Sequence, residues 1–254
     1  MKSRMHKLFA RAAVFTLAFA MLVGAVTATA SAQTVTTKYV ASGTKWSTPL
    51  YIINSGVAGP TVWVIGGTHG NEPAGYKAAA YVKDFKIKKG RLIVLPQANK
   101  LAVNAFTRYV SSTGDLNRSY PTSTYDTPNS TLSKSIWSYM KTYRPTWLVD
   151  MHEGYDFHKV VSAAVGQTAI IYPNTTTQKV ATMAINKLNA GISGTYHDFS
   201  LLKYPTPGSH ARAAGQFLGA HAMTFETSVK QPTTTRINQQ LTMVRTILSY
   251  LGMQ

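Results

Sequence analysis

The stretch at residues 62–75, VWVIGGTHGNEPAG, constrains this chain more than any other. A short apolar run ends in Gly66-Gly67, and an alanine-rich helical pattern begins beyond Pro73. Such a run reads as a buried strand that hands over to a helix. Pro73 suits the first helical turn, where its missing N–H costs nothing. His69 and Glu72 fall on the handover, at the edge of an open α/β sheet where sites are usually built. His-x-x-Glu puts one imidazole and one carboxylate within reach of a shared divalent ion, and zinc accepts both ligand types. Glycines at 66, 67 and 70 let the backbone turn tightly around such an ion. A polar loop that binds no metal gives the same four letters by chance, so the weight rests on the rest of the chain.

Strand and helix patterns alternate along it. Strands are expected at residues 62–66, 91–96, 147–152, 169–172 and 222–227, and helices at 75–85, 132–143, 176–188 and 234–251. Residues 33–50 are polar and Thr-rich and read as extended, with an edge strand among them. Residues 97–127 and 201–220 read as loops, the second rich in Gly, Pro and His; long loops in a compact domain are usually functional or disordered. The alternation predicts an α/β fold, a single-domain mixed, largely parallel sheet flanked by helices. No internal repeat or linker divides it.

The first 32 residues read as a signal peptide. Lys2, Arg4, Lys7 and Arg11 precede an apolar stretch, and Ala30-Ser31-Ala32 is a small-residue cleavage pattern. Cleavage after Ala32 would leave a catalytic domain of residues 33–254; an uncleaved membrane anchor is the alternative, although the apolar run is short for a full span. The whole chain carries +17, and residues 33–254 carry 22 Lys/Arg against 9 acids, a net +13. A secreted chain this basic is drawn to polyanions, so an anionic cell-wall polymer is a candidate partner; charge serving solubility alone is the alternative. No helix-turn-helix or aromatic-basic motif suggests specific nucleic-acid binding. The absence of cysteine excludes disulfides, thiolate metal sites and Cys nucleophiles.

With acids this scarce, each one at a strand end stands out. His152 ends the apolar run WLVDMH, with Asp150 two positions earlier on the same face, where a carboxylate can orient a ligating imidazole. Glu226 ends the run MTFE, and an acid in an apolar strand is costly unless paired or functional. Beside an activated water it could accept a proton and pass it to a leaving amine. The loop at 97–127 brings Arg108 and Asp115-Leu116-Asn117-Arg118, two arginines and an amide suited to anions. A hydrogen-bonded strand-end histidine, a structural salt bridge and surface arginines are the respective alternatives.

His69-Gly-Asn-Glu72, Thr107-Arg108-Tyr109, Asp115-Leu-Asn-Arg118, Asp150-Met-His152 and Thr224-Phe-Glu226, in this order, resemble the zinc carboxypeptidase superfamily. The wording Gly-Gly-Thr-His-Gly-Asn-Glu and Asp-Leu-Asn-Arg is closest to its succinylglutamate desuccinylase/aspartoacylase branch. Each motif is weak alone, the ordered set is specific, and it covers most of residues 62–228. The resemblance implies that His69, Glu72 and His152 bind one zinc ion and that Glu226 is general base and acid. It implies that Arg108 polarises the carbonyl and stabilises the oxyanion, and that Asn117 and Arg118 hold a substrate carboxylate. Tyr204, 22 positions before Glu226, matches the mobile tyrosine of the carboxypeptidases, with a packing tyrosine as the alternative.

Two departures shape the expectation. The aspartoacylase-type enzymes usually carry a C-terminal β-domain that narrows the site, whereas one helix is expected here beyond Glu226. A signal peptide also sits badly with intracellular amino-acid catabolism. The chain is therefore expected to be a secreted or wall-associated zinc amide hydrolase. Its substrate would be a peptide or N-acyl amino acid with a free carboxylate, a cell-wall peptide being one target. An N-acyl-amino-acid deacylase and a non-catalytic wall-binding protein are the rival readings. His158, His197, His210 and His221 have no motif partner, and His210 is a candidate for the pocket wall.

Overall fold

The computed structural model describes residues 32–254, so the expected signal peptide lies outside the described residues except for Ala32. The elements in chain order are β1 (Thr34–Val40), β2 (Thr48–Asn54), β3 (Thr61–Gly66), α1 (Pro73–Val82), β4 (Arg91–Leu95), α2 (Lys100–Ala105) and α3 (Thr131–Tyr143). They continue with β5 (Trp147–Gly154), β6 (Thr168–Ile171), α4 (Thr175–Asn189), β7 (Ser200–Lys203), α5 (His210–Leu218), β8 (His221–Ser228) and α6 (Thr233–Tyr250).

The strands form one sheet in the order β1-β2-β4-β3-β5-β8-β6-β7. Its centre, β4-β3-β5-β8, is parallel throughout. These strands are continuous apolar runs because helices cover both faces, as parallel sheets require. The antiparallel pairs lie toward the edges: β1 with β2, β2 with β4, and β6 with β8. The sheet is therefore mixed and mostly parallel, as its apolar pattern predicts.

Alternate residues of β3 separate two cores. Val62 and Val64 face a cluster that α1, α4 and α6 build with Ala78, Val82, Val180, Ala184, Val244 and Ile247. Trp63 and Ile65 face the other, with Leu132, Ile136 and Met140 of α3 and the alanines of α5.

The structure corrects the two long loops. Residues 201–220 contain most of β7 and all of α5. Ser209 caps α5, its Oγ accepting the N–H of Arg212 at 3.0 Å, and Gly219 ends it with φ +70°. Pro205, Pro207, Gly208 and Gly219 lie outside this helix, and Gly215 lies within it, where a Cβ would meet the ring of Tyr172 at 2.3 Å. Residues 97–127 contain α2, capped by Asn99, and a 3-10 turn at Leu116–Arg118. The edge strand expected in residues 33–50 is β1, and its hairpin partner β2 runs past that range.

Candidate active site and metal centre

Three strand ends deliver the central side chains. β3 leads through Gly66-Gly67 to His69, β5 carries Asp150 and His152, and β8 carries Glu226 directly beside His152 in the parallel register. The turn after β3 depends on missing side chains. Gly67 has φ +68°, and a Cβ on Gly70 would stand 1.9 Å from the carbonyl oxygen of Ala102. Gly70 N–H donates to Thr107 O at 2.9 Å, which fixes this turn beside Arg108.

Glu72 occupies the N-cap of α1 without capping it. The N–H of Ala74 donates instead to Glu153 Oε2 at 2.9 Å, so a carboxylate from β5 satisfies the helix start. Glu72 is thereby free to face the imidazoles. Its Oε1 lies 2.6 Å from His69 Nδ1, and its Oε2 lies 2.9 Å from His152 Nδ1 and accepts the Glu153 N–H at 3.1 Å. One ligand atom from each of His69, Glu72 and His152 falls within 4.8 Å of the others, and all three residues are buried. The far nitrogens also face carboxylates: His69 Nε2 is 3.0 Å from Asp115 Oδ1, and His152 Nε2 is 3.1 Å from Asp150 Oδ2.

The electrostatics of this cluster call for a cation. Burial opposes ionisation of Glu72, but the facing His152 and His69 outweigh it and hold the carboxyl at about 2. Burial likewise disfavours both imidazolium forms, yet Glu72 and Asp115 raise His69, and Asp150 and Glu72 raise His152 well above its ordinary value. Neither nitrogen of His152 makes a directed hydrogen bond, despite being fully enclosed. Two imidazoles and a carboxylate, with both nitrogens of His152 unclaimed and other carboxylates behind the rings, fit a divalent ion of the zinc type.

The cleft above this cluster has a volume of about 440 Å³, and its walls include Arg108, Asn117, Arg118, Tyr155, Thr206 and Glu226. Arg108 is 45% exposed, donates to Asp115 Oδ2 at 3.1 and 3.2 Å, and brings Nη1 within 3.9 Å of Glu72 Oε1. Asn117 is held by its N–H on Asp115 Oδ1 at 2.9 Å, and its own Oδ1 is buried without a partner. Arg118 Nη1 donates to Asn117 O at 2.8 Å. Glu226 Oε2 is buried and unpartnered, and desolvation pushes its carboxyl up to about 8.

The structure thus brings together His69, Glu72, His152, Glu226, Arg108, Asn117 and Arg118. Tyr204 is not among the cleft residues. It is 58% exposed, with φ +64°, and its ring centroid lies 5.0 Å from the guanidinium of Arg212. Thr206 lines the cleft instead. His210 is completely buried and reaches Asp150 Oδ2 at 3.1 Å, which places it behind the cluster rather than on the pocket wall. His158 bonds Ala164 O, His197 stacks on Phe157, and His221 bonds Thr177 Oγ1 and lies against Trp147.

The sequence singled out Asp115 only as part of a motif; here it joins His69, Arg108 and Asn117. Thr68, whose Oγ1 donates to Asp150 Oδ1 at 3.0 Å, and Glu153 carried no signal beyond their neighbours' motifs.

A largely parallel α/β sheet in this strand order is of the zinc carboxypeptidase-like type, and here it carries His-x-x-Glu after β3 and His152 on the neighbouring β5. Within that class, the chain belongs to the succinylglutamate desuccinylase/aspartoacylase family, whose catalytic-domain model matches residues 58–251. No curated protein matches the chain.

Among solved structures, it is similar to product-bound Cell Shape Determinant protein Csd4 from Helicobacter pylori, with TM-score 0.68 and 19% identity over 77% of this chain and 52% of that one. A tripeptide-bound form of Csd4 gives TM-score 0.67 and 17% identity over 88% and 56%. Csd4 is described as a D,L-carboxypeptidase and has also been solved with mDAP bound. A succinylglutamate desuccinylase/aspartoacylase from Rhodobacter sphaeroides gives TM-score 0.63 and 18% identity over 88% of this chain and 67% of that one. At these identities the likeness is one of fold, and the chain spans about half the length of Csd4.

Proposed function

We propose that this protein is a metal-dependent amide hydrolase of the carboxypeptidase type, acting on a peptide or N-acyl amino acid that bears a free carboxylate. The observation that carries this is the enclosed set of His69, Glu72 and His152 at the foot of a cleft that also holds Glu226, Arg108, Asn117 and Arg118. His69 Nδ1, a Glu72 oxygen and His152 Nδ1 would hold the ion, with Asp115 and Asp150 fixing the two rings from behind. A zinc ion there would polarise an amide carbonyl and acidify a water at neutral pH.

The remaining roles belong to the chain. Glu226, enclosed, unpartnered and favoured in its carboxylate form by a cation bound beside it, takes a proton from the attacking water and returns it to the leaving amine nitrogen. Arg108 offers its guanidinium to the oxygen on which negative charge develops. The Asn117 amide and the Arg118 guanidinium grip the substrate carboxylate.

A tripeptide and mDAP bind the structurally similar Csd4, which supports a peptide substrate. The family's name, and the Rhodobacter protein, support the N-acyl-amino-acid alternative. Export through the leader at residues 1–32, and association with an anionic wall polymer, complete the proposal. Among the described residues no helix is long and apolar enough to cross a membrane. A non-catalytic wall-binding protein is the contrary reading.

The test begins with metal content of the purified protein beside His69→Ala. One zinc per chain, lost in the variant, is the expected result; none in the wild type after zinc is supplied overturns the proposal. Release of a terminal amino acid from tripeptides, compared with hydrolysis of N-acyl amino acids, then separates the two enzymatic readings.

A further inference from the structure

Behind the cluster, and away from the cleft, lies a further histidine-carboxylate contact that the proposed chemistry does not use. His210 is the first residue of α5, a polar side chain with no exposed surface. Its Nδ1 donates to Asp150 Oδ2 at 3.1 Å, and the same oxygen is 3.1 Å from His152 Nε2. Thr68 Oγ1 occupies the other oxygen. Asp150 is therefore clamped from three elements: the turn after β3, β5 itself and α5. On the far side, the ring of His210 lies 4.1 Å from that of the buried Tyr120, whose N–H donates to Gly208 O at 3.0 Å. A Cβ on Gly208 would press on the backbone of Arg118 at about 3.0 Å, so the two segments are in close contact. His210 thus packs against the segment that carries Asn117 and Arg118 while holding the carboxylate behind His152.

We infer that His210 is a positioning residue for the metal centre, acting through Asp150 on His152; this rests on the proposed function. A buried carboxylate with one donor removed turns toward whatever donors remain. Here those are Thr68 and His152, so Asp150 would swing and the His152 ring would lose its aim at Glu72. Outer partners of ligating imidazoles typically alter metal affinity about 10–100-fold when they are removed. Asp150 is one step nearer the ion than His210, so the lower end of that range applies to His210.

The variants are His210→Asn, whose amide can stand where Nδ1 stands, His210→Gln, whose amide stands where Nε2 stands, and His210→Leu. Zinc affinity is measured by competition with a chromophoric chelator, with circular dichroism and thermal unfolding of the metal-free forms as the control for folding. About 10-fold weaker zinc binding in folded His210→Leu and His210→Gln, recovered in His210→Asn, is the expected result. If His210→Leu does not fold, the comparison of Asn with Gln decides. Equal affinity for wild type and variants, or equal loss in Asn and Gln, overturns the inference and leaves the metal centre standing. A wild type that takes up no zinc overturns the proposed function and the inference together.

Discussion

Glu226 shows how burial prepares a side chain for chemistry. Desolvation raises its carboxyl to about 8, so the folded chain holds that proton more tightly than the unfolded chain, where the value is 4.5. In metal-free protein the stability that depends on this proton is complete below pH 4.5 and is lost as pH rises through about 8. Glu226→Gln removes that dependence. The difference in unfolding free energy between variant and wild type should therefore grow in the variant's favour between pH 5 and pH 9, by a few kcal/mol in order of magnitude, in denaturant titrations with chelator present. The same variant should lower the turnover rate of the zinc-loaded enzyme about 10²–10⁴-fold while leaving zinc content unchanged, read by a release assay beside metal analysis.

Two element-scale contacts hold the cluster in shape. The turn after β3 passes so close to α2 that Gly70 has no room for a Cβ against Ala102. Gly70→Ala should cost about 3 kcal/mol, measured by chemical denaturation, and should weaken zinc binding because the turn carries His69. On the other face, α6 is fastened to β5 by the buried pair of Arg236 and Glu153, and by Gln240 Nε2 donating to His152 O at 2.8 Å. Glu153 in turn satisfies Ala74 at the start of α1. Arg236→Ala leaves a buried carboxylate without its cation and should cost roughly 3–5 kcal/mol in the same measurement. The final helix was legible from its apolar spacing at Ile237, Leu241, Val244 and Leu248. Its polar grip on the site was not, because Arg236 and Gln240 look like surface residues until β5 is placed beside them.

Charge is distributed unevenly over the whole molecule. Five of the nine acids, Glu72, Asp115, Asp150, Glu153 and Glu226, lie in or behind the cluster. The other four, Asp84, Asp126, Asp156 and Asp198, are the only acids left for the rest of the chain. Lys83, Arg108, Lys159, Lys230 and Arg236 pair with acids; the other 17 Lys and Arg of residues 33–254 have no acid within salt-bridge distance among the described residues. Such a surface should bind an anionic polymer and release it as screening rises. Protein retained on phosphate-rich polymer at low ionic strength should elute well below 1 M salt, where the Debye length falls to about 3 Å.

The α/β class, the five apolar strands and the residues that the fold gathers at the cluster were legible in the chain alone, because apolar period and chemically costly residues are local properties. Asp150 could be placed behind His152 for the same reason, since period two puts both on one face of a strand. The tertiary structure alone decided which carboxylate stands behind His69, that Tyr204 packs on Arg212 outside the cleft, and that His210 reaches Asp150. Those partners are 46, 8 and 60 residues apart in sequence. They meet only because the sheet order sets β3, β5 and β8 side by side and brings the loops and α5 over their carboxyl ends.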